Sequence, residues 1–166
     1  DFSPKEVIYP ITQALFYLTE DEYRESKVFD KKILLFVRAC DINGIRRLDT
    51  IFLQNGGTED IYYKRLREKV KFVLMECKDG WDTCFCVSMN SNKTDNYSLA
   101  IRFNNDNVMV EVKDDEFIDI FKDKEEIDFK PEFVKSNPKV VHVPEIDSTD
   151  LLKKGYDLDM WESFNS

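Results

Sequence analysis

Residues 31–57 read KKILLFVRACDINGIRRLDTIFLQNGG, and this stretch decides the fold. The continuous apolar run from Ile33 to Val37 is typical of a strand that is buried on both faces. Cys40 follows that run, and Asp41 is of a residue type favoured as the N-cap of a helix. Apolar residues then recur at spacings of three and four, which predicts an amphipathic helix that ends at the glycine pair 56–57.

A second strand follows and completes a strand–helix–strand unit. Residues 59–69 predict another amphipathic helix, and the apolar run at 70–76 predicts the next strand. Two strongly apolar strands joined by helices indicate a parallel βαβ unit. Residues 97–112 contain two apolar segments around a turn-rich loop, which predicts a β-hairpin. We therefore expect an α/β (or α+β) fold, with a mixed sheet built around strands at about 33–38 and 70–76 and extended by the hairpin.

The segments around this unit predict shorter elements. Phe16 and Leu18 are expected to pack on the core from an extended lead-in. The acidic stretch 114–128 has apolar residues on one side, which predicts an amphipathic helix with a solvated acidic face. Residues 148–154 and 156–164 predict a short helix and a terminal helix or linker.

Length and charge limit the function. A chain of 166 residues fits one domain, expected over 1–166 as a piece of a longer polypeptide, with a core at about 4–145 and a C-terminal helix or linker at 146–166. The net charge of -9 argues against a nucleic-acid partner, because phosphate binding depends on clustered Lys and Arg. No segment reaches the ~20 apolar residues of a membrane span. We expect a cytoplasmic protein whose thiols are reduced.

The four cysteines are the strongest candidate site. Cys40 and Cys77 each follow a predicted strand, and parallel strands present their carboxyl ends at one rim of the sheet. Cys84 and Cys86 lie in the same stretch as Cys77. Four thiolates commonly hold an iron–sulfur cluster, and a helix N-terminus beside Cys40 would favour the thiolate. The spacing matches no familiar ferredoxin or zinc motif, so a structural zinc site and merely buried cysteines stay open as alternatives.

Other residues give little support to catalysis. The single histidine, His142, lies in a short apolar segment and is more typical of a packed side chain than of a general base. Asp41 is expected to cap its helix, with a role as a metal ligand or beside the ligands as the alternative. Trp81 and Phe85 are expected to pack, and in that position they would shield a cluster from water.

Three segments together resemble a known family. Residues 36–53, 60–67 and 76–89 resemble, in order and spacing, the iron–sulfur electron-transfer subunit of anaerobic sulfite reductase, and they are similar to the related β subunit of cytosolic sulfhydrogenases. The likeness covers about residues 4–112. It implies an iron–sulfur electron-transfer domain that precedes a C-terminal ferredoxin-like domain with two further clusters.

The resemblance also implies a cofactor and partners. It favours one 4Fe–4S cluster on Cys40, Cys77, Cys84 and Cys86. The implied partners are a flavin- and nicotinamide-binding subunit, which supplies electrons, and a sirohaem-containing subunit that reduces sulfite. No independent catalysis is expected of this domain. The alternative is a non-redox structural or docking domain with buried or zinc-bound cysteines, for which the acidic stretch 114–128 is a candidate interface.

Overall fold

A four-stranded mixed sheet carries the fold. The computed structural model describes residues 3–27 and 29–138. In chain order the elements are β1 (Phe16–Leu18), β2 (Tyr23–Glu25), β3 (Ile33–Val37), α1 (Ala39–Asp49), α2 (Ile61–Arg67), β4 (Val70–Met75), β5 (Leu99–Asn104), β6 (Asn107–Val112) and α3 (Ile118–Phe121). The sheet order is β3-β4-β5-β6, with β3, β4 and β5 parallel and β6 antiparallel to β5. The predicted α/β class, the parallel βαβ unit and the added hairpin are confirmed.

Helix α1 buries one face and then changes its winding. Ile42 and Ile45 are buried against the sheet, as their spacing predicts. The chain continues into a wider π-type turn, Thr50–Gln54, and stops at two glycines with positive φ, of which Gly56 has φ 83°. Because the wider turn shifts the register, Ile51 points outward and is 54% exposed.

The main core lies between the sheet and the two helices. Tyr63 of α2 stacks on Phe52 with ring centroids 4.8 Å apart, and Phe52 stacks on Tyr9 at the same distance. The Tyr63 hydroxyl donates to Asp49 Oδ1 at 2.6 Å, and Arg67 Nε donates to the same carboxylate at 2.9 Å. The buried residues of this core are Ile8, Val37, Ala39, Ile42, Ile45, Tyr63, Val70, Phe72, Leu74 and Ala100.

The opposite face of the sheet is only partly covered. Val73, Leu99 and Ile101 are buried there with Phe117, from the turn that precedes α3. The prediction that the Ile33–Val37 strand is buried on both faces is wrong, because β3 lies at the edge of the sheet and its alternate side chains face outward. Leu34 is 43% exposed and Phe36 is 55% exposed.

Two further predictions need correction. Phe16 and Leu18 do not pack on the core, since they lie in a separate two-stranded hairpin of β1 and β2 and are 48% and 78% exposed. The predicted acidic helix at 114–128 is much shorter, with helical turns only at Asp115–Phe117 and Ile118–Phe121. Among the apolar residues of these two turns, only Phe117 is buried. Few apolar contacts are therefore available to hold a longer helix against the sheet.

The predicted elements at 148–154 and 156–164, the linker at 146–166 and His142 lie outside the described residues. The single-domain assignment to 1–166, with its core at about 4–145, stays a prediction. Within 3–27 and 29–138, no helix combines the length and the apolar character needed to cross a membrane.

Candidate metal centre

Cys40 is placed by the tight connection between β3 and α1. Arg38 is the N-cap of α1 and Cys40 is its second residue, so the thiol lies in the first turn, as predicted. The expectation that Asp41 is the N-cap is wrong by three residues, because the helix begins directly after β3. Asp41 still caps this end, since its Oδ2 accepts from the backbone N–H of Arg38 at 3.3 Å.

Cys77 is placed on the same rim by the pairing of β3 with β4. Val37 pairs with Leu74, and Cys40 and Cys77 each lie three residues beyond that pair (37 + 3 and 74 + 3). Parallel neighbours with this register end at one edge of the sheet. The structure thus confirms that the two strands are neighbours and that both cysteines follow their carboxyl ends.

Cys84 and Cys86 lie in a compact loop, residues 76–91, which we call the cysteine loop. Backbone hydrogen bonds fold it, including Cys84 N–H to the Trp81 carbonyl at 2.8 Å and Ser91 N–H to the Cys86 carbonyl at 2.9 Å. The backbone N–H of Trp81 also donates to Cys84 Sγ at 3.2 Å. The Cys77 thiol donates to the Asp79 carbonyl at 3.5 Å. All four cysteines of the chain are free and half-buried.

The thiols influence one another electrostatically. Burial raises the pKa of Cys40, and the charges of Asp41 and Cys86 act in the same direction, while backbone N–H groups of the helix partly oppose them. Burial also raises the pKa of Cys77, where Cys86 and Cys84 add to the rise and the Arg38 guanidinium opposes it. The charge of Cys86 thus contributes to raising the pKa of both Cys40 and Cys77.

Residues 132–138, which we call the strap, close the other side of the loop. Phe133 forms an isolated parallel β-bridge with Cys77. Asn92 Nδ2 donates to the Val134 carbonyl at 2.8 Å, and Asn137 Oδ1 accepts from the Val87 N–H at 2.7 Å. An open cleft of about 590 Å³ runs between the strap and residues 78–80. The sequence predicts a helix end, a loop and a short extended segment at 132–144, but not these contacts, because irregular backbone held by asparagine side chains leaves no periodic signal.

A charge network fixes the strap to the sheet beside Cys77. Both carboxylate oxygens of Glu76 accept from Arg102 of β5, and Glu76 Oε1 also accepts from the Glu132 N–H at 2.6 Å. Burial opposes ionisation of Glu76, but these hydrogen bonds outweigh it and hold its pKa below the usual range. Arg102 also binds the Glu132 carboxylate at 3.1 Å.

The two aromatic residues of the loop are less enclosed than expected. Trp81 is 62% exposed and Phe85 is 51% exposed, so the expectation that both pack is wrong. The guanidinium of Arg38 lies 3.9 Å from the centre of the Trp81 ring, a cation–π contact that holds the ring over the start of α1. Trp81 is therefore held beside the rim on its solvent side.

The donor set fits a thiolate-bound metal. Iron–sulfur clusters and structural zinc take thiolate donors, and two of the four cysteines follow the ends of β3 and β4 while the other two lie in the cysteine loop. As placed, no three Cys, His, Asp or Glu side chains within the described residues are close enough together to hold a metal ion. A metal could therefore bind only if the sulfurs come closer together than they are here. The assignment of Cys40, Cys77, Cys84 and Cys86 as ligands stays a prediction.

The fold and this rim define a mixed α/β domain that carries four free thiols around one parallel strand pair. The chain is 31% identical over 135 residues to sulfhydrogenase 2 subunit beta from Pyrococcus furiosus. The match covers 76% of this chain and 40% of the relative, so the chain spans about two-fifths of that protein's length. No family model matches the chain, and no solved structure matches it. The relative bears out the wider likeness to sulfhydrogenase β subunits, and the narrower likeness to the electron-transfer subunit of anaerobic sulfite reductase stays a prediction.

Proposed function

We propose that this chain is an electron-transfer domain that binds one 4Fe–4S cluster on its four cysteines. The observation that carries the proposal is the arrangement of free thiols around the ends of β3 and β4, with Cys86 linked electrostatically to both Cys40 and Cys77. The similarity to a sulfhydrogenase subunit supports a redox role. A bound cluster would supply one-electron transfer, and no bond to a substrate would form in this domain.

The surrounding residues would prepare the thiols for a metal. Because burial raises the pKa of Cys40 and Cys77, both are protonated thiols at neutral pH, and metal binding would release their protons. The first-turn N–H groups of α1 favour the Cys40 thiolate, and the Arg38 charge favours that of Cys77. A net-anionic group would therefore meet positive charge on the helix side of the rim.

The proposed setting is a multi-subunit cytoplasmic oxidoreductase. We infer that the domain passes electrons from a flavin- and nicotinamide-binding subunit toward a catalytic subunit, which reduces sulfite at a sirohaem in the sulfite reductase version. The support is the name of the relative, which is a subunit of a sulfhydrogenase, together with the resemblance of residues 36–53, 60–67 and 76–89 described above. A neighbouring ferredoxin-like domain with two clusters belongs to the same proposal.

The test is purification without oxygen, followed by iron and sulfide analysis and visible and paramagnetic resonance spectra. We expect a brown protein with about four iron atoms and four sulfides per chain. Single Cys→Ser changes at each of the four positions should reduce the iron content. The matched control is Asp82→Asn, which removes an exposed charge from the same loop and should leave the iron content unchanged.

A separate variant, Asp41→Ala, decides between capping and metal binding for this carboxylate. The hydrogen bond to the Arg38 N–H predicts that the variant keeps its iron and loses about 1 kcal/mol of stability. A colourless, iron-free wild-type protein after anaerobic reconstitution would overturn the cluster proposal. Zinc at one atom per chain would favour the structural reading instead.

A second candidate function is docking without redox chemistry. The observation that favours it is the outward apolar face of the sheet, where Phe36 is 55%, Phe103 66% and Val108 55% exposed. Exposed apolar side chains on one face are typical of a protein–protein contact. The predicted acidic interface at 114–128 is less suited to this role, because only residues 115–121 of it are helical.

A further inference from the structure

Asn137 connects the strap to one sulfur and to the backbone that follows it. Its Oδ1 accepts from the Val87 N–H at 2.7 Å, and its Nδ2 lies 3.7 Å from Cys86 Sγ, within donor range for sulfur. The first contact fixes the orientation of the amide, because a backbone N–H requires the oxygen as its acceptor. The amide NH₂ must then face the sulfur. One side chain thus holds both Cys86 and its neighbour.

The space for this contact is reserved by a glycine. A Cβ added to Gly80 would lie 2.9 Å from Asn137 Nδ2, closer than side-chain atoms tolerate, and 3.4 Å from Cys84 Cβ. Gly80 has no positive φ, so the backbone conformation alone does not require glycine here. The close approach of Asn137 does require it, because any side chain at position 80 would push the amide off Cys86.

We propose that Asn137 is a positioning residue for the cysteine loop, which sets Cys86 in place and donates an N–H···S hydrogen bond that tunes the potential of the bound cluster. The tuning half of this inference rests on the cluster proposed above. Hydrogen bonds to cluster sulfurs stabilise the reduced state more than the oxidised state, because the reduced cluster carries more negative charge on its sulfurs. The bond from Asn137 therefore raises the reduction potential.

The first variant is Asn137→Leu, which has a similar size and neither hydrogen-bonding group. Gly80→Ala is the second, and it displaces the amide while leaving Asn137 in the chain. The control is Asn92→Leu, which removes another asparagine that ties the loop to the strap, through the Val134 carbonyl, without touching a sulfur. All three keep the net charge of the protein, and circular dichroism checks that each one folds.

The first measurement needs no cluster. In metal-free protein the rate at which iodoacetamide alkylates Cys86 is compared with the rate at Cys40 in the same molecule, by mass spectrometry of the peptides. Both test variants should change the Cys86 to Cys40 ratio severalfold, because Cys86 loses the N–H donor that holds its sulfur in place. Asn92→Leu should change the ratio much less. An unchanged ratio in Asn137→Leu and Gly80→Ala would overturn the positioning role, whether or not the protein binds iron.

The second measurement is the midpoint potential of the iron-loaded protein, from a redox titration followed by paramagnetic resonance. Loss of one charge-assisted hydrogen bond should weaken reduction by about tenfold, which converts to about 59 mV for one electron. We expect Asn137→Leu and Gly80→Ala to have lower potentials than wild type and Asn92→Leu to match it. Equal shifts in all three would overturn the tuning role, since loosening of the strap would then explain them. If wild-type protein binds no iron, the cluster proposal fails, and the alkylation ratio still decides the positioning role.

Discussion

Replacing Glu76 with glutamine should loosen the strap from the sheet. The Glu76 side chain is 6% exposed, and its two oxygens accept two hydrogen bonds from Arg102 and one from the Glu132 N–H. Glutamine keeps one oxygen and places an NH₂ group against the donors of Arg102. The variant therefore loses the charge and turns one attraction into a donor–donor contact.

The size of the loss follows from the geometry. A hydrogen bond to a charged group contributes about 1.5–3 kcal/mol, and removing one partner of a buried ion pair costs about 3–5 kcal/mol. Arg102 keeps a second carboxylate, Glu132, at 3.1 Å, which compensates in part. We therefore expect Glu76→Gln to lower the free energy of unfolding by about 2–3 kcal/mol at pH 7.

The effect should depend on pH in a defined direction. The pKa of Glu76 is lowered in the folded protein, so its contribution is fully present above the unfolded value of about 4.3 and is lost as the pH falls through the folded value. Wild-type Glu76 is then protonated and resembles glutamine. The stability difference between the two proteins should therefore shrink as the pH is lowered from 7 toward 3.

The assay is urea denaturation followed by circular dichroism at several pH values. The control is Glu132→Gln, because the Glu132 side chain is 57% exposed and should contribute no more than about 1 kcal/mol. The reasoning is refuted if Glu76→Gln costs no more than this control. A difference that stays constant from pH 7 to pH 3 would refute the role assigned to the ionised carboxylate.

Three further comparisons test the fold. Ile45→Ala should lower the free energy of unfolding by about 2–5 kcal/mol in urea titrations because Ile45 is 0% exposed, whereas Ile51→Ala, at a 54% exposed site beyond the π-type turn, should cost less than about 1 kcal/mol. Equal stability losses in the two variants would show that the π-type turn does not change which side of the helix faces the core. Tyr63→Phe removes the 2.6 Å bond to Asp49 and should cost about 1 kcal/mol in thermal melts; an unchanged Tm would show that the bond contributes nothing. Gly56→Ala should cost about 1–2 kcal/mol, because φ is 83° and the space around it is open, so the whole cost is in the backbone. Denaturation of Gly56→Asn should recover part of it, and an alanine variant as stable as wild type would contradict the left-handed turn.

Residue patterns were sufficient to predict the βαβ unit. The apolar runs at Ile33–Val37 and Val70–Met75 became neighbouring parallel strands, and the spacing of apolar residues between them gave α1. Asp60 is the N-cap of α2, since its Oδ1 accepts from the N–H groups of Tyr62 and Tyr63, and aspartate is a residue type favoured at that position. These features are local in sequence, and local patterns report them directly.

Burial on the outer face could not be predicted in this way. Phe36 and Ile51 are as apolar as their buried neighbours, yet both are more than half exposed. An apolar run does not show which strand of a sheet lies at its edge, and a helical period does not show where the winding widens. Both properties depend on contacts between distant parts of the chain.

The candidate site also has a part that the sequence predicts and a part that it does not. The placement of Cys40 and Cys77 on one rim was predictable, because the ends of two parallel strands determine it. The strap was not, because the side chains of Asn92 and Asn137 bind distant backbone groups and carry no pattern. Glu76 could have been a hint, as a charged residue at the end of a buried strand requires a partner.

The two halves of the thiol site therefore depend on different parts of the fold. Cys40 and Cys77 are fixed by the pairing of β3 with β4, whose inner side chains belong to the main core. Cys86 is held from the strap by Asn137, and the strap is fixed to the sheet through Glu76. Because Asn137 binds both Cys86 and the Val87 N–H, we expect the strap and the loop to move as one unit when the sulfurs come closer together around a metal, while the paired strands keep their register.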